Sequence, residues 1–172
     1  MGVVLPLTEI DRMTGRAFER YLAELFVRLG YAVERTEWYD LGTDLVVTRD
    51  GVRTAVQAKR AAHPVRIDAV RAVAASLATY RCERGIVVTN AASFTAPARR
   101  LAADADIELW ARRELQQAIR YVQQRTTCVL CGKTVSDRVA KWCLDRPDEF
   151  RGRIYCYEHQ RRPAAGVLKI AR

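Results

Sequence analysis

The dipeptide Asp50-Gly51 separates two runs rich in β-branched residues, Thr43–Thr48 and Val52–Lys59. An Asp-Gly pair supplies the two left-handed residues that a two-residue turn requires, so the sequence predicts a tight hairpin. With Asp50 and Gly51 at its centre, the register has no freedom left: Arg49 faces Val52, Val46 faces Ala55 and Asp44 faces Gln57. Directly opposed residues hold their Cβ atoms about 4.5–5.5 Å apart on one face. Lys59 lies two positions beyond Gln57 and projects to that same face. An acid, an amide and a lysine therefore converge at the end of the hairpin. Leu45, Val47, Thr54, Val56 and Ala58 take the opposite face, which suits burial against a helix.

The rest of the first 125 residues alternates between helix and strand signals. Thr14 to Gly30 reads as a helix, with Phe18, Leu22, Leu25, Phe26 and Leu29 on one apolar stripe and Gly30 as its stop. Tyr31 to Glu37 reads as a short strand. Asp68 to Arg81 is a second helix, Gly85 to Asn90 a buried strand, and Thr95 to Ala103 a helix that admits Pro97 only in its first turn. Ile107 to Trp110 is a further strand, and Ala111 to Gln124 a helix with Leu115, Ile119 and Val122 inward. The order α-β-β-β-α-β-α-β-α predicts an α/β domain, a mixed sheet flanked by helices.

Four of the five cysteines and one of the two histidines lie after residue 127, which sets a boundary near Arg125. Two domains are expected, 1–125 and 126–172. In the second, Cys128-x-x-Cys131 and Cys156-x-x-His159 form two ligand pairs. Thiolate and imidazole are preferred zinc ligands, and four of them close a structural site with no open position. A tail this short cannot readily bury enough core alone, so metal would supply its folding free energy. The pattern resembles a zinc-ribbon module, closed by Tyr155-Cys156-Tyr157-Glu158-His159-Gln160. Cys143 reads as a spare buried thiol, with replacement of one of the four ligands as its alternative, and Cys82, at a helix end, as packing. Arg138, Lys141, Arg146, Arg151, Arg153, Arg161 and Arg162 surround the site, interleaved with Trp142, Tyr155 and Tyr157. Such a surface could grip phosphates or stack on a base. Equally, the aromatics could form the core of the module.

Composition narrows the class. At 49% apolar and 28% charged residues, a packed core is expected and wholesale disorder is not. No apolar run approaches the ~18 residues of a membrane span, and Met1 to Glu9 has none of the features of a secretory signal. An odd number of cysteines without a disulfide framework suits a cytoplasmic protein. Lys+Arg total 29 against 20 Asp+Glu, a net charge of +9, with arginine dominant. That excess points to phosphate-bearing partners, nucleic acid first, although a merely solvated basic surface would look the same.

The trio on the hairpin suits metal-assisted phosphodiester chemistry. The Asp44 carboxylate is a hard ligand for Mg²⁺, the Gln57 carbonyl can add an oxygen or orient water, and Lys59 can stabilise an oxyanion or sit beside the attacking water. The same residues would also suit a solvated strand face that binds nothing. His63, before Pro64, reads as a solvated loop residue.

A wider pattern lends weight to the first reading. Gly15-Arg16-Ala17-Phe18-Glu19-Arg20-Tyr21-Leu22-Ala23-Glu24-Leu25-Phe26, followed by Leu29-Gly30-Tyr31, resembles the first helix of Mrr-like restriction endonucleases. Asp40-Leu41-Gly42-Thr43-Asp44 resembles their D-x-G-x-D segment, and Gln57-Ala58-Lys59 their Q-x-K. Gly85 to Asn90 with Phe94, Thr95 and Ala98, then Ile107 to Trp110 with Arg113 and Leu115, resemble the later elements. The resemblance spans residues 14–116 and implies the PD-(D/E)xK nuclease fold. It implies a DNA endonuclease dependent on Mg²⁺ or Mn²⁺, with Asp44 as the metal-binding acid, Gln57 replacing a second acid and Lys59 as the catalytic lysine. By the same resemblance Glu19 is the helix glutamate that faces the site, and Asp40 shapes the preceding loop. Modified or branched DNA are the candidate substrates, and a homodimer would supply the two sites that double-strand cleavage needs. Two rivals stand beside this reading. One is a non-catalytic DNA-binding protein on a decayed nuclease fold; the other is a zinc-ribbon module for protein interaction.

Overall fold

A computed structural model describes residues 5–36 and 42–160 of the chain. It divides into two compact units, residues 1–119 and 120–172. The first holds α1 (Leu7–Ile10), α2 (Gly15–Arg28), β1 (Ala32–Arg35), β2 (Leu45–Arg49), β3 (Val52–Lys59), α3 (Ile67–Ser76), β4 (Arg84–Thr89), α4 (Ala96–Asp104) and β5 (Ile107–Trp110). The boundary falls inside α5 (Arg112–Gln124), and the second unit adds α6 (Asp137–Leu144), α7 (Pro147–Phe150) and α8 (Tyr157–Gln160).

The five strands lie in sequence order, β1-β2-β3-β4-β5. β1, β2 and β3 run antiparallel, whereas β3, β4 and β5 run parallel. The sheet is therefore mixed, as expected. Its register follows the turn: Leu45 pairs Val56, Val46 pairs Ala55 and Arg49 pairs Val52. Asp50 and Gly51 hold φ of 53° and 82°, the left-handed pair that matches the twist of a two-residue hairpin. The helices start where the sequence provides caps. The Thr14 hydroxyl accepts from the Ala17 N–H at α2, and Thr95 does the same for Ala98 at α4, with Pro97 in the first turn.

Helices cover both faces of the sheet. Leu45, Val47 and Val56 are fully buried, and α2 lies against β1, β2 and β3 with Phe18, Leu22 and Phe26 inward. On the opposite face, the one that also carries Gln57, Ala55 and Val87 pack with Val70 and Val73 of α3 and Ala98 of α4. Val46 and Gln57 are accordingly buried too. Ile67 to Ser76 is shorter than the helix expected to run to Arg81, because the chain turns after Leu77 and reaches Arg81 with a φ of 51°.

In the second unit, Cys143, Phe150, Ile154 and Tyr155 form a small core, and the Phe150 ring meets Trp142 at 5.1 Å and Tyr155 at 5.7 Å. Tyr155 is thus core, while Trp142 and Tyr157 are exposed, Trp142 with its ring against Phe150. Cys143 is a buried thiol, as expected. Arg161 and Arg162 lie outside the described residues. No helix among the described residues is long and apolar enough to cross a membrane.

One glycine is fixed by close packing. Gly42 holds φ of 98°, and a Cβ there would stand 2.2 Å from Cβ of Ala72 on α3. Overpacking and the disfavoured backbone act together, so Gly42→Ala should destabilise the protein by about 2–4 kcal/mol. Urea unfolding checks this; an unchanged midpoint would contradict the packing described.

Candidate active site and metal centre

Asp44 stands just before β2 and extends its ladder. Its N–H donates to the Val56 carbonyl at 2.9 Å, beyond the last backbone pair of the ladder, Leu45–Val56, and it meets Gln57 through side chains and not as a ladder partner. The approach is pinned from both sides. The Thr36 hydroxyl donates to the Thr43 carbonyl at 2.5 Å. The Thr43 and Ser76 hydroxyls lie 2.5 Å apart. Ser76 gives its proton to the Val73 carbonyl at 2.8 Å, so Thr43 is the donor between the two.

Asp44 and Gln57 meet. Oδ2 of Asp44 accepts from the Ala58 N–H at 2.7 Å and from Nε2 of Gln57 in a short contact. Nε2 of Gln57 also reaches the Ala58 carbonyl at 3.3 Å. Gln57 is 4% exposed, and its Oε1 is buried with no hydrogen-bond partner among the described residues. A buried amide carbonyl without a partner is costly and uncommon in folded proteins.

The electrostatics bring in two more groups. Burial pushes the Asp44 carboxyl from 3.8 up to about 6, against the opposing pull of the Ala58 N–H; the Glu19 carboxylate raises it further, while Lys59 and the Gln57 amide lower it. Glu19, half-buried on α2, and Lys59, exposed at the end of β3, therefore share the electrostatic neighbourhood of Asp44. Asp40 lies outside the described residues, and His63 is an exposed loop residue.

A hard divalent cation fits this arrangement on two counts. The Gln57 Oε1, without a partner among the described residues, is a neutral oxygen ligand, and rotation of its amide would bring it to the carboxylate, where two oxygens are stable together only with a cation or proton between them. The Asp44 charge, costly to bury alone, is what such an ion would neutralise.

The second unit holds a separate ligand cluster. Ligand atoms of Cys128, Cys131, Cys156 and His159 all lie within 4.8 Å of one another. Nδ1 of His159 is 3.3 Å from Sγ of Cys128 and 3.2 Å from Sγ of Cys156, and the Cys131 and Cys156 sulfurs are 3.9 Å apart. Burial pushes the Cys128 thiol up, but backbone N–H groups of Cys156, Cys131 and Leu130, with His159, overcome it and hold the thiol near 6. Cys143 stays outside the cluster; its Sγ lies 3.6 Å from the Tyr155 carbonyl.

One set of residues was not visible in the sequence. Asp11, Asn90 and Arg112 meet beside the end of β3, with the Arg112 guanidinium on both Asp11 oxygens at 2.7 and 2.8 Å. That hydrogen bond, opposed by burial and helped by Asn90, holds the Asp11 carboxyl near 2. No local spacing signals a contact between residues 101 positions apart.

The restriction endonuclease family model of the Mrr catalytic type matches residues 10–119, more than half of the chain. Among solved structures, a protein of unknown function, AF1548, aligns with a TM-score of 0.52 at 15% identity, over 86% of this chain and 88% of that one. The MspJI restriction endonuclease, solved with a 27-mer oligonucleotide, aligns with a TM-score of 0.52 at 23% identity, over 68% of this chain and 31% of its own. The DNA modification-dependent restriction endonuclease AspBHI aligns with a TM-score of 0.52 at 20% identity, over 69% of this chain and 37% of its own. The chain thus spans about a third of the length of these two enzymes, and the likeness is one of fold. No curated protein matches the sequence.

The raised Asp44 carboxyl has a signed consequence. Its folded value, about 6, exceeds its ordinary 3.8, so the stability it lends is full below pH ~4 and is lost as pH rises through 6. Above that, the buried charge costs about 3 kcal/mol. Without divalent ions, Asp44→Asn should be more stable than the parent at pH 8 by up to that amount, with the difference gone at pH 4. Thermal melts across pH check this; a variant equally destabilised at both ends would contradict it.

Proposed function

The chain belongs to the Mrr-type restriction endonuclease family, and on that premise we propose that it is a divalent-metal-dependent endonuclease that hydrolyses phosphodiester bonds in DNA. The observation that carries the reading is the buried Gln57 Oε1, without a hydrogen-bond partner among the described residues, beside the desolvated Asp44 carboxylate. Asp44 and Gln57 would hold Mg²⁺ or Mn²⁺, which when bound would supply charge neutralisation at the scissile phosphate.

The residues of the chain supply the rest. Asp44 accepts the Ala58 N–H and is thereby fixed in direction. Lys59, exposed at the rim, would donate to the phosphate oxygens as negative charge builds or hold the attacking water. Glu19, whose charge acts on the Asp44 carboxyl, would orient that water or accept its proton. Gln57 is neutral, so the site carries one charge less than a two-acid site and depends more on Lys59 and Glu19.

Modified DNA is the first substrate class to test, because AspBHI, a structural neighbour, is described as modification-dependent; branched DNA is the second. The Cys128, Cys131, Cys156 and His159 set, with three thiols and an imidazole, suits zinc, and a site closed by four protein ligands is structural and not catalytic. The zinc-ribbon module would add contacts to DNA through its basic surface. The whole reads as a cytoplasmic protein, with a homodimer as the arrangement that cuts both strands.

Two measurements test this. Plasmid and oligonucleotide substrates, unmodified, methylated and branched, should be cut with Mg²⁺ or Mn²⁺, and Lys59→Ala should slow cleavage by about 100-fold or more. Equal rates for parent and variant would overturn the role of Lys59, and DNA binding with no cleavage under any divalent ion would instead favour the decayed-nuclease reading. Elemental analysis should find about one zinc per chain, lost in Cys156→Ser; zinc content unaffected by that change would contradict the ligand set.

A further inference from the structure

The β3–β4 ladder ends at Lys59, whose last register partner is Thr89. Beyond it the chain leaves the sheet, so sheet hydrogen bonds no longer fix residues 60 and 61. Two side chains of β4 and the loop after it take over. The Thr89 hydroxyl donates to the Lys59 carbonyl at 2.6 Å, and Oδ1 of Asn90 accepts the Ala61 N–H at 2.9 Å.

Asn90 has only one workable orientation. Its Nδ2 donates to Oδ1 of Asp11 at 2.9 Å, while Oδ1 faces the Ala61 N–H; a flip would set donor against donor and acceptor against acceptor. The residue is 4% exposed, so water cannot readily replace either bond. Arg112 locks the Asp11 carboxylate with two nitrogens and also donates to the Asn90 carbonyl at 3.1 Å. The Arg60 side chain donates to the Asp11 backbone carbonyl, which ties the segment to the same residue again. The Asp11–Arg112 pair is about one-third exposed on each side. Such a pair contributes little to stability, but its two-point geometry fixes direction.

We propose that Asn90, backed by Asp11 and Arg112, is a positioning residue that holds the backbone just beyond Lys59 and so sets where the lysine ammonium sits. This rests on the reading of Lys59 as a group that touches the reacting phosphate. A positioning residue of this kind acts through Lys59 alone and makes no contact with DNA or metal.

The test is a cleavage cycle on the full chain with Mn²⁺ and plasmid DNA, using the parent, Lys59→Ala, Asn90→Ala and the double variant. Asn90→Ala should lower kcat by about tenfold or more with KM unchanged, since small misplacements of a catalytic group cost rate and not binding. The double variant should be no slower than Lys59→Ala, because two residues that act as one unit are not additive. Multiplied losses, or a loss confined to KM, would overturn the proposal. Arg112→Gln, which leaves Asn90 in place, should show the same kcat-only pattern if Asn90→Ala fails to fold; a KM effect there would overturn it equally. Amide hydrogen exchange supplies a readout that needs no activity: the Ala61 N–H should exchange slowly in the parent and about tenfold or more faster in Asn90→Ala. If the parent cuts no DNA at all, the nuclease reading fails and Ala61 exchange decides the clamp by itself. A freely exchanging Ala61 in the parent would overturn it.

Discussion

The arrangement depends on one desolvated carboxylate. Asp44 is held at the mouth of the hairpin by its own backbone bond to Val56 and by the Ala58 N–H, and burial raises its carboxyl to about 6. Its neighbour Gln57 leaves a buried carbonyl oxygen without a partner among the described residues. A fold selected only for stability would have no reason to set a carboxylate and an unsatisfied amide side by side in the packed face that also holds Ala55 and Val87. Local conflicts of this kind, maintained by a well-packed surround, are the usual mark of a site with work to do.

The surround explains why the conflict is tolerated. Ser76, Thr43 and Thr36 form a chain of hydrogen bonds that delivers Asp44 to its place, and Gly42 lets the segment pass against Ala72 of α3 where no side chain fits. The two amides at the site behave in opposite ways. Asn90 satisfies both ends of its side chain and is locked, whereas Gln57, among the described residues, satisfies only its nitrogen and keeps an oxygen in reserve. The first suits a support and the second a ligand.

Much of this was legible in the sequence because it is local. Asp50-Gly51 fixes the hairpin register as far as Leu45–Val56, and Asp44, just beyond it, meets Gln57 through its side chain. The stripe of Phe18, Leu22, Leu25 and Phe26 marks α2, and the two Cys/His pairs mark the ligand cluster. What was hidden is non-local. Alternation assigned burial to the Leu45 face but could not reveal that α3 and α4 close the Gln57 face, because those helices arrive only through tertiary packing. The Asp11–Asn90–Arg112 cluster joins three distant stretches, and no pattern within any one of them announces the contact. The helices α6 and α7 between the ligand pairs are short, and their packing is built around Phe150 and Cys143 and not around periodicity.

The central claim is that Asp44 and Gln57 share a divalent cation, and anomalous diffraction from crystals soaked in Mn²⁺ tests it most directly. The account predicts one strong manganese peak in contact with an Asp44 oxygen and Gln57 Oε1, absent from Asp44→Asn crystals soaked alike. Full manganese occupancy elsewhere with this pair unoccupied, and the Gln57 nitrogen still turned to the carboxylate, would contradict it.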